Sequence, residues 1–102
     1  MKQTLQKLFK REANWCKKAV ARTKLQDPAD PEGPYARSWC VMGAIDLCYH
    51  KTEDKMQALD KLKAAICSYT GMTYRNGIVA DWNDSPKTSI EDVRNVVKLA
   101  NI

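Results

Sequence analysis

Side chains able to do chemistry lie closest together in Trp82-Asn83-Asp84-Ser85-Pro86. An indole offers apolar contact and the amide and carboxylate offer polar contacts, which is the make-up of a ligand-binding lip. The same residue types also build turns: Asn and Asp side chains bond their own backbone, Pro86 fixes the chain, and Trp82 is a large core filler. The turn reading is the favoured one. Cys40, Cys48 and His50 suggest a metal site or a thiol nucleophile. Eight residues of helix separate the two thiols by about 12 Å, too far for one ion. A Cys-His nucleophilic pair also needs an orienting third group, and the single histidine falls where its helix ends, a position at which an imidazolium complements the helix dipole. Asp46 is the lone charge of an apolar stretch, and pairing with Arg37 or a nearby Lys is expected because an unpaired buried carboxylate is costly. No carboxylate pair at catalytic spacing, no CxxC and no glycine-rich phosphate loop occurs. No catalytic residue, metal ligand or cofactor is therefore assigned.

Charge points to a different kind of site. Eight of the 17 basic side chains fall in residues 1–24, opposed there only by Glu12. Such a field steers acidic protein surfaces or nucleic acid. Lys7, Lys10, Arg11, Lys17 and Lys18 are the binding candidates on this segment, beside Trp82, Asn83 and Asp84. Aromatic interleaving is limited to Phe9 and Trp15, and no nucleic-acid-binding motif is present, so a solvated basic face is the plainer alternative.

The elements that must position these residues read as helices. Leu5, Leu8, Phe9, Ala13, Cys16 and Ala19 or Val20 recur at three and four, which predicts an amphipathic basic helix over about 3–22. Three prolines and a glycine within Asp27–Pro34 make a surface connector. Ser38 to His50 is apolar on every side, as a central buried helix is, and Gly43 within it implies close approach of another backbone. Thr52 suits an N-cap, followed by Glu53 and Asp54, with Met56, Leu59, Leu62 and Ile66 on one face and Gly71 as the stop. Asn76-Gly77, between Met72-Thr73-Tyr74 and Ile78-Val79-Ala80, signals a short hairpin. Thr88-Ser89-Ile90-Glu91 reads as a capping box, the Thr88 hydroxyl contributing about 1 kcal/mol. Behind it Ile90, Val93, Val96, Val97 and Ala100 form the buried stripe of the last helix.

Trp39-Cys40-Val41-Met42-Gly43-Ala44-Ile45, then Ile78-Val79-Ala80-Asp81-Trp82-Asn83-Asp84, then Thr88 to Ala100, resemble an uncharacterised family. It is a domain of unknown function in short bacterial and bacteriophage proteins. Its pattern runs from a helix ending near a Trp, through an Asp-Pro connector, to a Cys-x-x-Gly-Ala helix and a late Trp-Asn-Asp before a Thr-capped helix. The resemblance extends from Trp15 onward and implies no activity. The basic Lys2–Lys24 segment and Tyr74–Gly77 depart from the pattern.

Together these readings predict one all-α domain over 1–102, a compact bundle of about four helices with a short β-hairpin before the last. With 102 residues, 44% hydrophobic and 28% charged, the composition is that of a globular chain. No apolar stretch is long enough for a membrane span, and no secretory h-region occurs. A cytoplasmic protein with Cys16, Cys40, Cys48 and Cys67 as free thiols is expected. The expected function is a small non-catalytic interaction module that contacts a protein partner through the basic leading helix or the connector. The resemblance adds a phage-derived, host-directed origin. A nucleic-acid binder and a small-ligand site at Trp82-Asn83-Asp84 are the alternatives.

Overall fold

A computed structural model describes residues 4–102, with the elements α1 (Leu5–Leu8), a 3-10 turn (Glu12–Asn14), β1 (Ala21–Arg22), β2 (Ser38–Trp39), α2 (Val41–Cys48), α3 (Thr52–Thr70), α4 (Ile78–Asp84) and α5 (Ile90–Ala100). The fold is mainly α, as expected, with five helices and one small antiparallel β-pair. Lys2 and the expected helix start at residue 3 lie outside the described residues.

α5 forms where its sequence demands it. Ile90, Val93, Val96, Val97 and Ala100 are all buried and face α3, the most extensive helix pairing of the molecule. The capping box is present but sits one residue later than expected. Ser89 is the N-cap, its hydroxyl accepting from the Asp92 N–H while the Asp92 carboxylate accepts from the Ser89 N–H. The Tyr69 hydroxyl donates to the same carboxylate, and these bonds hold it below the usual carboxylate range, the Ser89 amide contributing most. Thr88 is buried behind the cap.

α3 buries Ala58, Leu62, Ala65 and Ile66 and ends, as expected, at Gly71, whose φ of 76° is left-handed. Its N-cap position is Lys51 rather than Thr52, without a side-chain cap, and Glu53 and Asp54 sit in the first turn beside the positive dipole end. Met56, expected on the buried face, is exposed. The helix turns about 100° per residue, and Ala58, Leu62, Ala65 and Ile66 define an inward stripe that leaves Met56 outside it.

α2 is shorter than the expected 38–50, because Ser38 and Trp39 pair with Arg22 and Ala21 in the sheet. Val41, Gly43, Ala44, Ile45 and Cys48 are buried. Gly43 lies against backbone as expected: a Cβ there would stand 2.0 Å from the Val20 carbonyl oxygen. Only hydrogen fits, so the helix and the chain entering β1 are in direct contact.

Two further expectations are corrected. The leading segment is not one helix. α1 stops at Leu8, the Asn14 side-chain amide donates to the Leu8 carbonyl at 2.8 Å, and Trp15 to Val20 is non-helical, bending over Lys17 to Val20 with Lys18 left-handed at φ 64°. Cys16 N–H donates to Trp39 O, and Cys40 N–H donates to Val20 O. These long-range bonds displace the local helical preference, and Ala13, expected in the buried stripe, is exposed. Second, Ile78 to Asp84 is helix α4, not a hairpin strand. Gly77 is left-handed at φ 81°, as the Asn-Gly signal implied, but it starts a helix because Ile78, Val79, Trp82 and Asn83 share one buried face. The β-pair instead joins the two ends of the proline-rich connector.

Candidate functional site

Asn83 is 1% exposed and bonded on every side. Its Oδ1 accepts from the Trp15 indole Nε1 at 2.8 Å and from the Val41 N–H at 3.2 Å, while its Nδ2 donates to the Cys16 carbonyl at 3.1 Å and to Asp84 Oδ1 at 2.9 Å. A side-chain amide has two donors and two acceptor sites, so its capacity is filled. The network also fixes the amide's orientation, since a flip would set donor against donor. Asn83 thereby ties the leading segment, the first turn of α2 and the end of α4 together. Trp82 beside it is buried in the core cluster.

Asp84 stands next to this node, half-buried. Its Oδ1 also accepts from the N–H of Lys18, the left-handed residue, at 2.8 Å. Lys17 Nζ donates to the carbonyls of Ser85, at 2.5 Å, and Thr88, at 2.8 Å, and lies 5.1 Å from the Trp15 ring centroid. A cation there suits the carbonyl end of α4. Lys17, Lys18, Trp82, Asn83 and Asp84, nominated from two distant stretches, thus meet at one place, where most of their polar atoms serve the fold.

Lys7, Lys10 and Arg11 lie elsewhere, exposed. Leu5 N–H donates to Ile102 O, while Arg94 donates to the carbonyls of Phe9 and Lys10 and pairs with Glu91. The end of α1 therefore runs against α5. Because Lys17 is committed and the helix is interrupted, the leading cations do not share a helical face, and the expected basic N-terminal helix is not formed.

The remaining chemical candidates are placed as follows. Asp46 pairs with Lys55 at 3.4 Å, the Lys pairing that was expected, while Arg37 bonds the Pro34 and Ala36 carbonyls. His50 is exposed, its Nδ1 3.7 Å from Glu32. None of the four cysteines is in a disulfide. Burial pushes the Cys16 and Cys40 thiols up, and at Cys40 it outweighs the Gly43 and Met42 amides while the charge of Asp84 adds to the rise. Neither thiol is poised as a nucleophile, and Cys40 Sγ instead accepts from Gly43 N–H at the start of α2. Among the described residues no group of three or more His, Cys, Asp or Glu is arranged around a metal position, and no helix is long and apolar enough to cross a membrane.

The connector carries the feature that residue types alone did not reveal. Leu25 is 83% exposed and Tyr35 73%, the highest values among the large hydrophobic residues that the structure describes. Yet their loop is held firmly. Thr23 Oγ1 accepts from Leu25 and Asp27 N–H, Arg22 Nη1 donates to Gln26 O at 2.7 Å, and Ala29 N–H donates to Ala21 O. Asp30 Oδ1 accepts from Glu32 N–H, and the Trp39 indole donates to Pro31 O at 2.8 Å. The available signal was an isolated Leu and Tyr within a polar, proline-rich stretch.

These elements define a mainly helical protein of one continuous hydrophobic cluster with a structured loop on its surface. A family model matches residues 3–101, and the chain belongs to that family, DUF6197, a family of unknown function. No curated protein and no solved structure matches it.

Proposed function

We propose that the protein is a small non-catalytic interaction module that presents its connector, residues 23–37, to a partner protein. The observation that carries this reading is the display of Leu25 and Tyr35 on a loop pinned by its own hydrogen bonds. Holding apolar side chains in water in one fixed geometry removes much of the ordering cost of association, and tyrosine is a favoured interface anchor. Asp27, Asp30 and Glu32 outnumber Lys24 and Arg37 on the same loop, so the complementary surface is an apolar cleft with a polar, weakly basic rim. An origin among bacteriophage proteins, with a bacterial protein as the target, suits a short chain that acts by occupying a surface.

The test is differential capture from bacterial lysate on the immobilised chain. The wild type retains a partner at stoichiometric level, and the double variant Leu25→Ser/Tyr35→Ser, which alters only exposed side chains and keeps the wild-type melting temperature, loses it. Retention of the same partner by the double variant, or recovery of none by the wild type, rejects the proposal. Binding to mixed-sequence DNA or RNA that weakens steeply with salt and survives the double substitution would move the function to the exposed cations Lys7, Lys10 and Arg11.

A further inference from the structure

A cleft of about 360 Å³ opens between the chain entering β1, the start of α2 and the end of α4. Ala19, Val20, Cys40, Met42 and Ala80 give it apolar walls, and Asn83 and Asp84 also line it. Val20 and Met42 are exposed at its rim, although each is large and apolar. The volume lies at the small end of the roughly 300–1,000 Å³ of ligand pockets, which suits a compact molecule rather than a nucleotide cofactor.

The carboxylate of Asp84 has no direct ionic partner among the described residues. Asp84 Oδ1 accepts from two neutral donors, Lys18 N–H and Asn83 Nδ2, and Oδ2 accepts no hydrogen bond among the described residues. On the neighbouring segment Lys17 bonds the carbonyls of Ser85 and Thr88 and Arg22 those of Lys17 and Gln26, while the Lys18 side chain is exposed and forms no ion pair with Asp84. A half-buried carboxylate beside apolar walls attracts a positive charge more strongly than it would in open solvent.

We propose that this cleft binds a small organic ammonium, a primary amine carried on a short apolar body. The ammonium takes the open acceptor of Asp84, and the hydrocarbon part packs against Val20, Met42 and Ala80. Neutral isosteres lose the ion pair, and anions are repelled. The site is separate from the connector, so either proposal stands if the other fails.

The experiment is an amide-resolved NMR titration of the full chain at pH 7 with cyclohexylamine, cyclohexanol and cyclohexanecarboxylate. Cyclohexylamine shifts the Val20, Met42, Ala80 and Asp84 resonances saturably. Cyclohexanol binds at least about tenfold more weakly, a difference of about 1.4 kcal/mol, and the carboxylate does not bind. Asp84→Asn keeps acceptors for Lys18 N–H and Asn83 Nδ2, so it preserves the fold while reducing amine affinity to that of cyclohexanol. Absence of saturable shifts in the wild type at millimolar amine, equal affinity for amine and alcohol, or undiminished amine binding in Asp84→Asn overturns the proposal.

Discussion

At the scale of the residue, Asn83 shows how a side chain with the look of a ligand-binding group becomes structural. Its four partners are Trp15 Nε1, Val41 N–H, Cys16 O and Asp84 Oδ1. Removing the amide strands several groups from both solvent and partner, and each such buried group costs roughly 1–3 kcal/mol. Asn83→Ala is therefore expected to lose about 4 kcal/mol of folding stability, read as a fall in the urea midpoint, with the largest chemical-shift changes at Trp15 and Val41. A loss below about 1 kcal/mol would mean that water replaces the amide and that the node is not a tie. Lys17, Lys18, Asn83 and Asp84 were each visible in the sequence as polar residues in suggestive company. Their meeting was not, because the bonds that join them span 66 to 71 residues and leave no local periodicity.

Among the elements, legibility follows the source of the stabilisation. α3 and α5 bury stripes set by their own 3.6-residue period, and their caps are local chemistry, so both appear in the sequence, with the cap displaced by one residue and Met56 of α3 outside the buried stripe. The leading segment fails the same test. Its Ala, Leu and Lys residues favour helix locally, but Asn14 turns back to cap α1 and Cys16 bonds Trp39. α4 was hidden by Asn76-Gly77, a turn signal that here precedes a helix. Gly43 is the clearest success of sequence reasoning at this scale, since a glycine in an otherwise apolar helix implied a neighbour at backbone distance. Gly43→Ala drives its Cβ into the Val20 carbonyl, which belongs to backbone and cannot rotate away. Overpacking of this kind typically costs about 1–3 kcal/mol and occasionally more, so thermal unfolding of Gly43→Ala is expected to show a lowered melting temperature. An unchanged melting temperature would mean that α2 and the entry to β1 slide apart freely.

Across the whole molecule, the buried polar network and the exposed connector divide the work. The core cluster takes in all five helices, and the polar groups between α4, α2 and the leading segment lock them in register. The connector leaves this body and returns to it through the β1–β2 pair, carrying Leu25 and Tyr35 outward. Sequence patterning marked the connector as a surface segment and one of two contact candidates, but not the fixed outward geometry of Leu25 and Tyr35, which is set by hydrogen bonds such as those of Thr23, Arg22, Asp30 and Trp39. The division also separates the expected consequences of substitution: changes at the node are expected to act on stability, whereas under the proposed function changes at Leu25 or Tyr35 are expected to act on association.

Native-state amide hydrogen exchange across residues 23–37 tests the central claim, that the connector is a preformed surface, most directly. The account predicts that the Ala29 and Arg37 amides, bonded to the Ala21 and Arg22 carbonyls, exchange at least about a hundredfold more slowly than in an unstructured peptide, with the Thr23 and Gly33 amides also protected. Exchange of all these amides at unstructured-peptide rates, while α3 and α5 stay protected, would contradict it.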